Sequence, residues 1–159
     1  CPCGYLGDTM HACTCTPVMR QRYRTRLSGP LLDRVDLHIS VPRIQHQELS
    51  GSSHEENSET IRARVEKARL KQRQRLAEHG LYANAQMQAR HLRVYCQTDK
   101  DGDELLKDVM DRLGLSARSY ARILKVARTI TDLDGEDDIQ RRHLAEAIQY
   151  RQLDRPLSP

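Results

Sequence analysis

From Leu105 onward, apolar residues recur every three to four positions, the spacing that lines up side chains on one face of an α-helix. Leu105, Leu106, Val109, Met110 and Leu113 predict a helix from about Asp103, stopped by Gly114. Ser116 then caps a helix over about 117–133, with Tyr120, Ile123, Leu124, Ala127 and Ile130 on one face and Arg118, Arg122 and Lys125 on the other. A last helix over about 140–151 buries Leu144, Ala147 and Ile148, with Asp137 or Asp138 as its cap. Upstream, Asn57 or Ser58 opens a longer helix with Ile61, Val65, Ala68, Gln72 and Leu76 in line, ended near His79 by Gly80. A short helix around 88–95 completes this part.

The stretch Leu27–Val41, LSGPLLDRVDLHISV, has a different period. Ser28 or Gly29 caps a short turn that Pro30 and Leu31–Leu32 suit, followed by Asp33 and Arg34. Val35, Leu37, Ile39 and Val41 then alternate with Asp36, His38 and Ser40, the pattern of a half-buried strand that Pro42 ends. A lone strand leaves its backbone donors and acceptors unpaired, so this one is expected to complete a sheet whose other strands lie elsewhere. Thr16-Pro17 opens a preceding helix, in which Val18, Tyr23 and Leu27 sit beside Arg20, Arg22, Arg24 and Arg26. Residues 44–57 lose periodicity and turn polar, with His46 and His54 among serines, a linker in which the histidines read as solvated.

Composition makes the core thin: 159 residues, 38% hydrophobic, 30% charged, with no Phe or Trp. No run of about 18 apolar residues could span a membrane, and no signal peptide is visible, so a soluble cytoplasmic protein is the default. The first residue is a cysteine, as in a fragment. The net charge of +4 permits nucleic acid or phosphate partners without requiring them. Arg62, Arg64, Lys67, Arg69, Lys71, Arg73 and Arg75 could follow a phosphate backbone, but Glu66 interrupts them and no aromatic is interleaved, so a solvated face is the simpler reading.

Four of the five cysteines, Cys1, Cys3, Cys13 and Cys15, form two C-x-C pairs around a loop containing Pro2, Gly4 and Gly7. Four thiolates so placed can hold Zn²⁺ tetrahedrally in a structural role, with His11 as a spare ligand. Free thiols and disulfides are the competing readings. Cys96 stands apart, an ordinary helix residue beside His91. Arg118 falls in a first helical turn, where the helix dipole disfavours a cation. Such a break of a local rule points either to an anion site at the free N–H groups or to an exposed arginine paired with Asp111 or another carboxylate. There is no phosphate-binding glycine loop, dinucleotide fingerprint or H-E-x-x-H motif, so these residues alone contain no machinery for nucleotide hydrolysis.

The stretches CPCGYLGD, CTCTP, RYRTRLSGPLLDRVDLHISVP, LGLSARSYARILKVARTITDL and HLAEAIQYR together cover much of the chain. They resemble the C-terminal part of the magnesium-chelatase-like AAA+ ATPases of the YifB/ComM family. The resemblance implies a mainly α fold: a helical AAA+ lid bundle over 58–155, preceded over 1–43 by a cysteine loop, a basic helix and one strand left over from the α/β core. It implies ATP and Mg²⁺ as ligands of the full-length protein, whose Walker motifs would lie before Cys1. It implies identical subunits in a ring, a hexamer, acting on DNA in competence or branch migration. Arg34 matches the position of an arginine finger reaching a neighbouring subunit, and Arg118 that of the sensor 2 arginine. Two alternatives stay open: a non-enzymatic zinc-containing helical DNA-binding module, and a true metal-chelatase motor subunit.

Overall fold

The computed structural model describes residues 1–8, 10–32, 34–39, 41 and 56–151, and these fall into two compact units. The first comprises residues 1–35 with 39 and 41, the second residues 36–38 with 56–151. The expected linker over 44–57 lies outside the described residues except for its last two, as do Ser40, Pro42 and the end of the expected lid beyond Arg151.

In the first unit the cysteine loop leads into α1 (Pro17–Arg24), and α2 (Gly29–Leu32) follows. Thr16 caps α1 by accepting from Met19 N–H, and Ser28 Oγ accepts from Leu31 N–H at 3.3 Å. The second unit consists of α3 (Ser58–Leu76), α4 (Ala89–Tyr95), α5 (Lys100–Leu113), α6 (Ala117–Leu133) and α7 (Arg141–Gln149). Single 3₁₀ turns occupy Ala77–His79 and Asn84–Gln86. The described residues are thus mainly helical, a helical bundle in the second unit, and their only β pairing is an isolated parallel bridge between Thr98 and Ile139.

α6 is the axis of this bundle, packing against α3, α4 and α7, while α5 packs against α7. Its apolar stripe is the one the spacing predicts: Ile123, Leu124, Ala127 and Ile130 are buried, and Tyr120 packs at the margin. Leu106, Leu144, Ala147 and Ile148 close the same core. In α3 only Ala68, Gln72 and Leu76 are buried; Ile61 and Val65, expected on that face, are exposed.

Three expected details differ. α5 begins at Lys100, earlier than Asp103, because Asp99 accepts from Gly102 N–H at 2.8 Å and caps the helix. At Gly102 a Cβ would lie 2.8 Å from Leu144 Cδ1 and 3.0 Å from Asp99 Oδ1, so a larger residue there would have to displace one of these side chains. α7 is capped not by Asp137 or Asp138 but at Gln140, whose N–H donates to His143 Nδ1 at 3.0 Å. The same device starts α4, where Gln88 N–H donates to His91 Nδ1 at 2.9 Å. Both cases spell Gln-x-Arg-His-Leu, at 88–92 and 140–144, with the leucine buried.

The third difference concerns the strand expected over Val35–Val41. The described residues there form no ladder, for want of a partner. Val35, Asp36, Leu37, Ile39 and Val41 are all exposed, and of the described residues in this segment His38 alone is buried, at 7% exposed, in the helical unit. His38 N–H donates to Tyr150 C=O at 2.7 Å, and Asp36 pairs with Arg122 at 2.7 Å.

The basic face of α3 is also not wholly solvated. Lys71 donates to Gly135 C=O at 2.6 Å and to the Asp137 carboxylate at 3.0 Å, a contact that holds the Asp137 carboxyl below the usual carboxylate range. Arg75 donates to both carboxylate oxygens of Asp132, 3.0 Å at Oδ2. Asp132, fully buried, also accepts from Asn84 Nδ2 at 2.8 Å and Arg128 Nη2 at 3.2 Å. Arg128 further donates to Asp137 C=O at 2.6 Å, so two cations hold the loop after α6. Removing the carboxylate leaves two guanidinium groups without compensation in a dry site. Asp132→Ala is therefore expected to lower the unfolding free energy by about 3–5 kcal/mol, measured by urea denaturation against the parent chain.

Candidate metal centre and arginine sites

Local turns bring the cysteines together. Gly4 and Gly7 take φ values of +84° and +85°, a region that side chains disfavour, and so permit two tight turns in succession. Gly4 N–H donates to Cys1 C=O at 3.1 Å, and Asp8 N–H to Tyr5 C=O at 3.2 Å. The Asp8 carboxylate then accepts from the N–H groups of Met10 (2.7 Å) and His11 (3.0 Å), turning the chain back. Cys13 and Cys15 return beside Cys1 and Cys3, and Thr16 immediately starts α1.

The ligand atoms of Cys1, Cys3, Cys13 and Cys15 all lie within 4.8 Å of one another. Sulfur separations are 3.5 Å for Cys1–Cys3, 3.6 Å for Cys3–Cys13 and 3.7 Å for Cys1–Cys13. None of the four is in a disulfide. A tetrahedral tetrathiolate with metal–sulfur bonds of about 2.3 Å has sulfur–sulfur edges of about 3.8 Å, so these residues fit a zinc-sized ion. His11, the spare ligand of the sequence reading, is not among them: its ring stacks on Tyr5 at 5.0 Å.

The electrostatics divide the set. The backbone of Tyr5 chiefly, with Cys15, Cys13 and the Thr14 backbone, favours the Cys3 thiolate over the effect of burial and lowers its pKa to about 6. For Cys15 the Cys3 backbone favours the thiolate, but burial and the neighbouring Cys3 and Cys13 sulfurs prevail and push its pKa up. Thiols that hinder one another's ionisation in this way are what a divalent cation would relieve. Cys96 behaves differently: packed in the helical core, its thiol is pushed up to about 12 by burial.

Arg34 lies two residues beyond the end of α2, its N–H donating to Leu31 C=O at 3.0 Å, and its side chain is exposed. The adjoining Asp33 lies outside the described residues. Arg118 is the second residue of α6, also exposed, in a turn capped by Ser116 Oγ accepting from Ser119 N–H at 3.1 Å. Ser119 is buried and accepts from Arg151 Nη2 at 3.2 Å. The coordinates thus unite the four cysteines, whereas Arg34 belongs to the first unit and Arg118 to the second.

Of the basic residues, Arg22, Arg26, Arg62, Lys67, Arg69 and Arg73 are exposed, and Arg64 forms a two-pronged pair with Glu56 at 2.8 and 3.0 Å. The sequence reading missed the inward-turned Arg75, Arg128 and Asp132, and the pairing of the exposed Asp36 with Arg122. The i,i+4 spacing of Arg128 and Asp132 on the apolar side of α6 is the signal that could have found two of them. Among the described residues no helix is long and apolar enough to cross a membrane.

Comparison with known families agrees with this division. Residues 55–151 match the family described as magnesium chelatase, subunit ChlI C-terminal, and residues 1–49 match magnesium chelatase, subunit ChlI. The chain is 42% identical over 144 residues to the uncharacterized protein YifB of Salmonella typhimurium, covering 90% of this chain and 28% of that protein. Identity to YifB of Escherichia coli is 41%, with the same coverage. The competence protein ComM of Haemophilus influenzae is 40% identical over 157 residues, 98% of this chain and 30% of that protein. The chain therefore spans less than a third of the length of these curated relatives.

The thiol environments give a direct test. With metal removed by chelator, iodoacetamide is expected to label Cys3 at a rate that rises as pH climbs through about 6, since the thiolate is the nucleophile. Cys96 should stay unlabelled up to pH 9 in the folded chain. Peptide mapping by mass spectrometry reads both.

Proposed function

The chain belongs to the magnesium chelatase subunit ChlI family, and on that premise we propose that it is the C-terminal portion of a ring-forming ATPase. In this reading it contributes Arg34 as an arginine finger, Arg118 as a sensor 2 arginine, and a structural zinc site at Cys1, Cys3, Cys13 and Cys15. The ATPase core, with the groups that hold Mg²⁺ and the phosphates, belongs to the portion of the relatives that this chain does not span. The substrate is ATP bound by identical subunits of the ring, six by family resemblance.

The observation that carries the reading is the exposed guanidinium of Arg34 beside a segment whose apolar residues all face outward. Val35, Leu37, Ile39 and Val41, at 40–80% exposed, supply a face that the helices flanking a core sheet would cover, while neighbouring strands would pair with the backbone. Such a sheet would hold the backbone after Arg34 rigidly at a subunit edge. There the planar, permanently charged guanidinium donates to the terminal phosphate of a nucleotide on the adjacent subunit as charge develops in phosphoryl transfer. Arg118 stands where a helix N-terminus adds its own positive end, a setting suited to phosphate.

The zinc, when bound, supplies two positive charges and four bonds that cross-link the loop. The chain's own part is to present the four sulfurs, deprotonated, and to tie Cys15 to the cap of α1. DNA is the substrate on which ring motion acts in this reading, with the exposed arginines of α1 and α3 available to phosphates. That one relative is named a competence protein agrees with this.

In the full-length protein Arg34→Ala is expected to lower ATP turnover on the order of 10³-fold or more while leaving nucleotide binding near the parent value. Arg118→Ala should slow turnover with helix content unchanged by circular dichroism. Retained hydrolysis in Arg34→Ala refutes the finger. The purified chain, kept reduced, is expected to carry about one zinc per chain by metal analysis, lost when all four cysteines become serine; a metal-free parent chain refutes the zinc site.

A further inference from the structure

The apolar stripe of α7 ends on a cation. Leu144, Ala147 and Ile148 are buried at helical spacing, and the next position of the same stripe, three residues after Ile148, is Arg151. Its side chain is as enclosed as theirs, at 2% exposed. A leucine there would fill the space without desolvating a charge, so packing does not account for a guanidinium. Part of the compensation is local: Arg151 stands just beyond Tyr150, the C-cap of α7, where the carbonyl end of the helix favours positive charge. Arg151 N–H donates to Ile148 C=O at 3.0 Å, and Tyr150 C=O accepts from His38 N–H at 2.7 Å, so the backbone that carries the side chain is held on both sides.

The guanidinium reaches the start of α6, where Arg151 Nη2 donates to Ser119 Oγ at 3.2 Å. Ser119, itself buried, is the third residue of α6 and follows Arg118 directly. Ser116 closes the same turn: its Oγ accepts from Ser119 N–H at 3.1 Å and donates to Ser119 Oγ at 3.3 Å, and its C=O accepts from Tyr120 N–H at 3.0 Å. First turns of helices fray because their N–H groups have no intrahelical partners. This one is tied twice, to its own cap and, through Ser119, to the end of a second helix, with the exposed Arg118 between the two serines. All of these contacts lie within the helical unit.

We propose that Arg151 is a positioning residue for Arg118: by holding Ser119 it fixes the rotation of the first turn of α6, and with it the direction in which the Arg118 guanidinium is presented to a phosphate. The proposal rests on the sensor 2 reading of Arg118 above. A long side chain magnifies any rotation of its backbone, so a first turn free to unwind would spread the guanidinium over many positions. Charge developing in phosphoryl transfer is met only where the donor already stands in place. Arg151, enclosed, acts through Ser119 and not by contact of its own with the nucleotide.

The test uses the full-length ATPase with Arg151→Met and Ser119→Ala, each alone and combined with Arg118→Ala. Single-turnover hydrolysis, with enzyme in excess over labelled ATP, measures the slowest variants. Each single variant is expected to slow hydrolysis at saturating ATP about 5-fold or more, with KM within about 2-fold. Added to Arg118→Ala, either change should alter the rate less than about 2-fold, because a side chain already absent cannot be misplaced. Parent-like rates in both single variants overturn the proposal, and so does undiminished slowing in the Arg118→Ala background, which is what a general loosening of the helical unit would give. If Arg151→Met loses its thermal transition, Ser119→Ala, which leaves the Ser116 cap on the Ser119 N–H in place, decides by the same two comparisons. Full turnover in Arg118→Ala removes the sensor 2 reading and this proposal with it, whereas a slow Arg118→Ala whose rate falls as far again with Arg151→Met removes only the positioning role.

Discussion

The helical unit depends on one carboxylate without contact with water. Asp132 is fully buried, and it is tolerable there because Arg75 from α3, Arg128 from one turn back and Asn84 from a 3₁₀ turn all donate to it. A buried ion this well surrounded restricts the alternatives more than it adds stability, since any other packing of α3 on α6 leaves a charge unmatched. It sets the rotation of α3: with Arg75 turned inward, Gln72 and Ala68 follow on the same side, and Gln72 Oε1 accepts from Asn84 N–H at 3.3 Å. The exposure of Ile61 and Val65 belongs to the same geometry, because the contacts that orient α3 lie at its C-terminal end.

The helices were legible wherever burial is apolar. The stripes of α5, α6 and α7 stand in the sequence because Leu, Ile and Val repeat at helical spacing and have no other reason to. The Asp132 network was not legible, since arginine and aspartate ordinarily mark water, and only coordinates show that Arg75 and Lys71 turn inward while Arg62, Lys67 and Arg73 do not. Caps failed for a similar reason. Two aspartates before α7 look better than glutamine, yet the N–H of Gln140 is met by an imidazole one turn on. The cysteine spacing named the right four residues as a set; their convergence within 4.8 Å depends on Gly4, Gly7 and the Asp8 turn. The alternation over 35–41 was legible, but not which of its residues would be covered: Val35, Leu37, Ile39 and Val41 are exposed and His38 is buried.

The candidate residues share a structural habit. Cys15 stands one residue before a helix cap, Arg34 two residues after a short helix, and Arg118 within a capped first turn. Ends of helices combine fixed backbone with outward-facing side chains, so a guanidinium there, as at Arg34 and Arg118, is placed without being enclosed. In the ATPase reading this suits groups that complete their sites only with other parts of a ring.

The segment after Arg34 has a consequence for how the chain tolerates change. Its two faces answer to different demands, polar side chains toward α6 and apolar ones outward, and extended backbone exchanges those faces at every residue. Single substitutions there disturb one face at a time. Adding or deleting one residue between Arg34 and His38 would instead exchange both faces together, turning isoleucine and leucine toward Arg122 and leaving aspartate and histidine outside. The length of this four-residue step is thus a stricter requirement than the identity of most residues within it.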